Sequence, residues 1–230
     1  MTNPVTKGTV WWDFHGTLVS RPFMWREAGC QFLERFVPDH QISPEQLRKA
    51  WRTGHFPATE CHPELTPDLW WECVWQRYSD TFRELGCPLT EARQTLSVIR
   101  DDILDASRYS LFDDVVPVLE RLHRNGWRHI MVSNHVPELE AIVAALGIGT
   151  FFHAVLTSAI IGYEKPHACM FEAAIEQTVP GAPAWMVGDS VEADCVPATS
   201  VGAKAILVRT KAPFDRRAAD LWTALAMIES

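Results

Sequence analysis

The pattern of apolar and polar positions divides the chain into three parts of different character. Residues 9–14, TVWWDF, are mostly β-branched or aromatic and are followed by His-Gly-Thr, which predicts a buried strand that ends in a tight loop. From about residue 20 to 108, long segments run without strand-like alternation, which favours helices. From Leu111 onward, short apolar segments and helical segments alternate along the chain.

The middle part is expected to form a helical insert without a convincing strand. Pro44 and Pro67 each follow a hydroxyl residue, Ser43 and Thr66, which suits an N-cap residue with proline at the first helical position. The predicted helices of the insert are residues 22–37, 44–53, 67–85 and 90–106.

The last part predicts strands that alternate with helices. The predicted strands are residues 127–133, 152–157, 184–187 and 204–208, and the predicted helices are residues 113–125, 137–146, 167–177, 191–200 and 215–228. Such alternation implies a parallel sheet with helices on both faces.

Together the three parts predict an α/β fold: a doubly wound, Rossmann-like parallel sheet with an all-helical cap domain inserted after the first strand. The core domain would comprise residues 1–19 and 110–230, and the cap residues 20–109. In open parallel sheets, ligands bind beyond the carboxyl ends of the strands. We therefore expect the cap to stand over that edge as a lid.

The composition narrows the class of protein. The 230 residues, 47% of them apolar and 22% charged, suffice for a packed core. The net charge is −8 and the sequence has no run of lysine or arginine, which argues against a nucleic-acid partner but leaves room for a small charged metabolite. Residues 1–8 lack the apolar core of a signal peptide, and no apolar run approaches the ~20 residues of a membrane span.

The six cysteines form no C-x-x-C pair, and the grouping of Cys61, His62 and Cys73 fits no structural zinc pattern well. We therefore expect a reduced, cytoplasmic protein with free thiols and no membrane segment.

Four short segments carry the candidate chemistry, and each falls at the end of a predicted strand or in the loop after it. In chain order they are Asp13-Phe14-His15-Gly16-Thr17-Leu18, Ser133-Asn134, Lys165-Pro166 and residues 188–194, GDSVEAD. In order and placement they resemble the four motifs of the haloacid dehalogenase-like superfamily, across the whole core. The insert resembles the family's helical-cap subclass only in position, length and helical texture.

The resemblance implies a hydrolase in which Asp13 attacks phosphorus and holds the phosphoryl group as an aspartyl phosphate. This splits one difficult step into two easier ones. Because two anions repel, a cation must lie between them, and Mg²⁺ prefers oxygen ligands such as Asp13 and Asp189. The resemblance adds the backbone carbonyl of His15 as a ligand and places Asp194 in indirect or water-linked contact with the metal.

The remaining motif residues would bind the substrate. Lys165 would neutralise the nucleophile and the phosphoryl oxygens, while Ser133, Asn134 and nearby backbone N–H groups would bind those oxygens. Gly16 would let the backbone turn sharply beside the substrate, and Thr17 would tie the loop together. Positioning and charge stabilisation supply most of the catalysis in phosphoryl transfer.

Each of these side chains also has an ordinary structural interpretation. Asp13 could merely end a strand, and Lys165 could be an ordinary loop lysine. Asp189 and Ser133 could cap the helices that follow them. The functional interpretation is favoured because one fold explains all four positions together.

His15 departs from the family pattern, because the family's phosphatases usually carry a second aspartate there. That aspartate protonates the leaving oxygen and then activates the attacking water. Imidazole, with a reference pKa of ~6.5, could exchange a proton near neutrality. A nearby Mg²⁺ and Lys165 would lower the pKa of His15, which weakens the acid role and leaves the base role. Contact with the substrate and simple packing under the cap are the other interpretations.

Further substrate contacts are expected near the hinge of the cap. Arg21 and Trp25 follow the first loop, and His135 follows the second motif, so each is a candidate to contact the leaving group. The roles of His55 and His62 stay open. The insert's tryptophans are interpreted as a packed core rather than a ligand wall; they are Trp25, Trp51, Trp70, Trp71 and Trp75.

The leading hypothesis is a phosphomonoesterase that acts on a small phosphorylated metabolite. A dehalogenase needs no metal, so the acids of the fourth motif argue against attack on carbon. A phosphonate hydrolase of the related type uses a cap lysine, and the insert's only lysine, Lys49, lies inside a predicted helix away from the hinge. A non-catalytic scaffold that binds a phosphorylated ligand or a protein is the third hypothesis, and only His15 supports it.

Overall fold

The computed structural model of the chain describes residues 6–21, 23–52, 66–87 and 92–230. The strands of this part are β1 Gly8–Trp12, β2 Val19–Ser20, β3 Ser110–Leu111, β4 Trp127–Ser133, β5 Phe152–Thr157, β6 Ala184–Gly188, β7 Lys204–Val208 and β8 Arg217–Ala218. The α-helices are α1 Met24–Phe36, α2 Pro44–Arg52, α3 Pro67–Glu84, α4 Ala92–Leu104, α5 Val115–Arg124, α6 Leu139–Ala145, α7 Ser158–Ile161, α8 Ala168–Gln177, α9 Val196–Ser200 and α10 Leu221–Glu229.

Six of the strands form one parallel sheet in the order β5-β4-β1-β6-β7-β8. β1 lies at its centre, where Trp12 pairs with Met131 of β4 and Val187 of β6. The chain runs from β1 outward to β4 and β5 and then crosses back to β6, so the strand order reverses between β1 and β6. Ligands of open α/β sheets bind at the carboxyl end of such a switch point. The predicted α/β class with a Rossmann-like core is confirmed.

Helices cover both faces of the sheet. Successive residues of β1 point to opposite faces, so the strand contributes side chains to two separate clusters. Trp11 packs with Ile130 and Phe171 in one cluster, whereas Val10 and Trp12 belong to a second cluster. The second cluster continues into the helical insert, where its buried members include Phe32, Trp70, Trp71, Tyr78 and Phe82. Two of the insert's tryptophans therefore lie in a packed core. The side chains of Trp51, His55 and His62 lie outside the described residues.

A two-stranded antiparallel ribbon lies where the insert leaves and rejoins the core. β2 pairs with β3 through Val19 with Leu111 and Ser20 with Ser110. The sequence pattern predicts neither strand, because two residues are too few to show an alternation. The predicted borders of the insert, 19/20 and 109/110, fall at this ribbon.

Most predicted elements are found within a few residues of their predicted ends, but two of them differ more. The predicted helix 215–228 begins only at Leu221, because residues 217–218 form β8 and the Asp220 carboxylate caps α10, accepting from Thr223 N at 2.8 Å. The predicted helix 191–200 opens with a π-helical turn, Val191–Cys195, before α9. In the part of the chain that is described, no helix is both long and apolar enough to cross a membrane.

Candidate active site

Asp13 follows β1 directly at the carboxyl edge of the sheet. Its N–H donates to the carbonyl of Val187 at 3.0 Å, which continues the pairing of β1 with β6 past the last strand residue. The side chain is buried, and its Oδ1 accepts from Lys165 Nζ at 2.8 Å and from Ser133 Oγ at 3.2 Å. Thr17 Oγ1 donates to Oδ2 at 3.4 Å and closes the loop. Three of the four sequence motifs thus meet at one carboxylate.

Lys165 lies buried between two carboxylates. Its Nζ donates to Asp194 Oδ1 at 2.6 Å as well as to Asp13. Burial by itself would lower the pKa of Lys165, but the carboxylates of Asp13 and Asp194 outweigh it and raise that pKa above its ordinary value. The ammonium is therefore charged at neutral pH and offsets the charge of the Asp13 carboxylate.

Asn134 fixes the loop that carries this lysine. Its Oδ1 accepts from the backbone N–H of Lys165 at 2.7 Å, and its Nδ2 donates to the carbonyl of the same residue at 2.9 Å. The sequence assigns Asn134 to substrate binding. The structure gives its amide a positioning contact with Lys165, while one edge of the residue lines the cavity described below.

Three carboxylates converge opposite the single ammonium of Lys165. Ligand oxygens of Asp13, Asp189 and Asp194 all lie within 4.8 Å of one another. Burial raises the pKa of Asp189 to about 7, and the neighbouring carboxylates of Asp13 and Asp194 add to that effect. An oxygen-only donor set with excess negative charge fits a hard divalent cation such as Mg²⁺.

Two glycines make room for this cluster. A Cβ on Gly16, whose φ is +75°, would lie 2.1 Å from Asp189 Oδ2, and a Cβ on Gly188 would lie 2.3 Å from Asp194 Oδ2. Any side chain at either position would force the neighbouring carboxylate to move, so both glycines are explained by close approach. Asp194 is further held by the backbone N–H of Ser190, which donates to its Oδ2 at 3.0 Å.

His15 and His135 form a pair at the edge of the site. Their Nε2 atoms are 3.1 Å apart, and their rings stack with centroids 5.0 Å apart and an interplanar angle of 13°. Burial lowers the pKa of His15 to about 4 against the opposing effect of the Asp13 carboxylate, and it lowers the pKa of His135 well below its ordinary value. Phe14 and Tyr109 border both rings. The sequence names both histidines as candidates but contains no signal that they touch.

Arg21 is buried and its charge is compensated within the insert. Its guanidinium donates to Asp102 Oδ2 at 2.7 Å and to the carbonyls of Asp102 and Ile103 at 3.0 and 3.1 Å, and it lies 4.7 Å from the ring centre of Tyr109. These contacts connect the start of the insert with the end of α4. The residue still borders the cavity, as the sequence predicts for a substrate contact.

A cavity of about 510 Å³ opens above the carboxylates, between the core and the insert. The core contributes His15, Gly16, Asn134 and Asp189 to its wall, and the insert contributes Arg21 and the first turn of α1. Sequence reasoning anticipates the segment after the first loop, including Trp25. It misses Arg26, Arg48 and Phe112, because their approach to one cavity depends on how the insert folds back over the sheet.

Comparisons with known proteins agree with this arrangement. The sequence model of a hydrolase family described as "haloacid dehalogenase-like hydrolase" matches residues 8–202. Haloacid dehalogenase-like hydrolase domain-containing protein 3 of Mus musculus is 29% identical over 216 residues, which cover 91% of this chain and 84% of that protein.

Two further matches concern a phosphatase and a solved structure. Glyceraldehyde 3-phosphate phosphatase of Methanothermobacter thermautotrophicus is 33% identical over 109 residues, 44% of this chain and 45% of that protein. The crystal structure of the HAD-hydrolase YfnB from Bacillus subtilis, bound to magnesium, superposes with a TM-score of 0.72 at 17% identity and covers 98% of this chain and 100% of that one. This last likeness concerns the fold alone.

Proposed function

Because the chain belongs to the haloacid dehalogenase-like hydrolase family, we propose that it is a Mg²⁺-dependent phosphomonoesterase of small phosphorylated metabolites, with Asp13 as the covalent nucleophile. One observation carries the proposal: Asp13 Oδ1 touches both Lys165 Nζ and Ser133 Oγ, within a group of three carboxylates. The partial match to a glyceraldehyde 3-phosphate phosphatase supports a phosphate ester as the substrate.

Asp13, Asp189, the carbonyl of His15 and, through water, Asp194 would hold Mg²⁺, which would offset the repulsion between the nucleophile and the phosphoryl oxygens. In the first step, an oxygen of Asp13 forms a bond to phosphorus while the ester bond to the leaving oxygen breaks. Lys165 and the Ser133 hydroxyl donate hydrogen bonds to the phosphoryl oxygens.

In the second step, water attacks the phosphorus of the aspartyl phosphate and releases inorganic phosphate and the free carboxylate. We assign the water's proton to His15, which borders the cavity beside Asp13 and is held in place by His135. Protonation of the leaving oxygen falls to water, so esters of acidic alcohols should be the better substrates.

The test is release of phosphate from an aryl phosphate, measured with Mg²⁺ and with a chelator. We expect wild-type protein to release phosphate only with Mg²⁺ and Asp13→Asn to have no turnover, because an amide cannot attack phosphorus. The matched control is Asp215→Asn, which neutralises an exposed carboxylate that does not line the cavity; this variant should turn over normally.

Two results would contradict the proposal. If Asp13→Asn turns over as fast as wild type, the covalent mechanism is wrong. Phosphate release that survives chelation would contradict the Mg²⁺ dependence, and chelator-resistant turnover of a substrate that Asp13 attacks at carbon, without phosphate release, would favour the dehalogenase alternative.

A further inference from the structure

The cavity above the carboxylates is larger than a phosphoryl group requires. Its volume of about 510 Å³ is in the range of pockets that hold whole metabolites. A phosphoryl group in contact with Asp13 and Ser133 would fill only the inner end. The rest of the space, bordered by the first turn of α1, faces the leaving group of the substrate proposed above.

The arginines that line this space differ in whether a carboxylate pairs with them. Arg21 is paired with Asp102, and Arg48 donates from Nε and Nη2 to the two carboxylate oxygens of Glu45. Among the described cations that border the cavity, Arg26 alone has no carboxylate within salt-bridge distance. Arg26 is half-buried and lines the cavity, where its guanidinium can bind an anion.

Phe23 holds this guanidinium in place. The ring centre of Phe23 lies 3.9 Å from Cζ of Arg26, a stacking contact. Phe23 adopts a left-handed backbone conformation, φ 68° and ψ 27°, and its side chain is 56% exposed. A bulky residue in that conformation is strained, and an exposed ring gains little from burial in return. This conformation places the ring and the guanidinium together at the cavity wall.

We propose that Phe23 and Arg26 select phosphomonoesters whose leaving group carries a second anionic group, a carboxylate or a phosphate, which Arg26 binds. This inference rests on the proposed phosphatase function and adds the substrate class. The guanidinium offers several donors in a fixed plane that match a carboxylate or phosphate, and the stacked ring reduces the entropy lost when it binds. Apolar neighbours on the cavity wall, Met24, Trp25 and Phe112, would contact the carbon chain between the two acidic groups.

The experiment compares matched substrates. A series of ω-carboxyalkyl phosphates of increasing chain length is assayed beside the corresponding ω-carboxamides, which are nearly isosteric but neutral. For at least one chain length, we expect the wild-type kcat/KM for the acid to exceed that for the amide about ten- to hundredfold, the range of a hydrogen bond to a charged group.

Variants assign this preference to residues. Arg26→Gln should bring the acid-to-amide ratio close to one, and Arg26→Lys should restore part of it. Phe23→Gly should lower the ratio without lowering the melting temperature, since glycine tolerates the left-handed conformation. Arg83→Gln, which removes an exposed insert arginine paired with Asp80, should keep the wild-type ratio.

The outcomes separate this inference from the proposed function. If wild type hydrolyses both series equally, or if Arg26→Gln keeps the preference, the substrate class is wrong although the phosphatase activity stands. If wild type releases phosphate from an aryl phosphate but from neither series, the substrate class is also wrong, and if it releases phosphate from none of these esters, both proposals fall.

Discussion

His15 is the residue at which this chain departs from the phosphatase pattern of its family. Its burial keeps the imidazole neutral at pH 7, because burial lowers its pKa to about 4. A neutral imidazole has a free ring nitrogen that can take a proton from water, whereas very little imidazolium is present at pH 7 to protonate a leaving group. In the reaction proposed above, His15 therefore suits the second step, hydrolysis of the aspartyl phosphate, better than protonation of the leaving group.

We expect His15→Ala to slow this second step selectively and to lower steady-state turnover about 10²–10⁴-fold. With an aryl phosphate, whose leaving group needs no acid, the variant should release a burst of about one aryl alcohol per enzyme before slow turnover. Stopped-flow absorbance measures the burst. His153→Ala, an exposed histidine on β5, is the control and should show wild-type kinetics. Unchanged turnover in His15→Ala would show that His15 has no catalytic role.

At the scale of elements, the loop after β1 must bring Asp13 and Asp189 together at the switch point. Gly16 makes this approach possible, because a Cβ there would lie 2.1 Å from Asp189 Oδ2. Gly147, after α6, has nearly the same backbone angle, φ +77° against +75°, but a Cβ there would meet nothing within 4 Å. Substitutions at these two glycines therefore separate the cost of backbone strain from the cost of displacing the Asp189 carboxylate.

We expect Gly16→Ala and Gly147→Ala each to lose about 1–2 kcal/mol of unfolding free energy through left-handed strain. Gly16→Ala alone should also raise the Mg²⁺ concentration for half-maximal phosphate release, by about tenfold or more, because Asp189 has to move. Urea unfolding and Mg²⁺ titration of activity measure the two effects. An equal Mg²⁺ requirement in both variants would show that Asp189 is not a ligand.

The secondary-structure element on which a site residue lies decides whether the sequence can predict its position in the site. Asp13, Ser133 and Asp189 each end or follow a central strand, and carboxyl ends of parallel strands meet at one edge, so their encounter follows from strand prediction alone. Phe23 directly precedes α1 and Arg26 lies in its first turn, and the position of this helix depends on the packing of the insert. Nothing in their spacing shows which surface they face.

At the level of the tertiary structure, the contacts of the buried His129 are likewise not visible in the sequence pattern. His129 lies at the predicted centre of β4, but its partner is 117 residues away: Trp12 Nε1 donates to His129 Nδ1 at 2.9 Å. Only the pairing of β1 with β4 brings these residues together. Periodicity places His129 in a strand, whereas its neutral, hydrogen-bonded state is a consequence of tertiary structure.

This buried histidine should make the fold sensitive to acid. Burial lowers the pKa of His129 from 6.5 to about 3, with His123 adding to the effect. Between those pH values the unfolded chain binds the proton and the folded chain does not, so stability falls as the pH drops below about 6.5. Protonation would also set an N–H of His129 against the donor of Trp12. From pH 7 to pH 4.5 this one group should cost about 3 kcal/mol of unfolding free energy.

We expect His129→Gln, whose side-chain oxygen can still accept from Trp12, to reduce this acid-induced loss by about 3 kcal/mol, even if its stability at pH 7 is lower. Urea unfolding at both pH values measures the difference for each protein. His153→Gln removes an exposed histidine from the neighbouring strand and should lose as much stability as wild type. The same acid-induced loss in wild type and His129→Gln would mean that the acid sensitivity arises elsewhere, since a group that does not titrate in either state cannot give stability a dependence on pH.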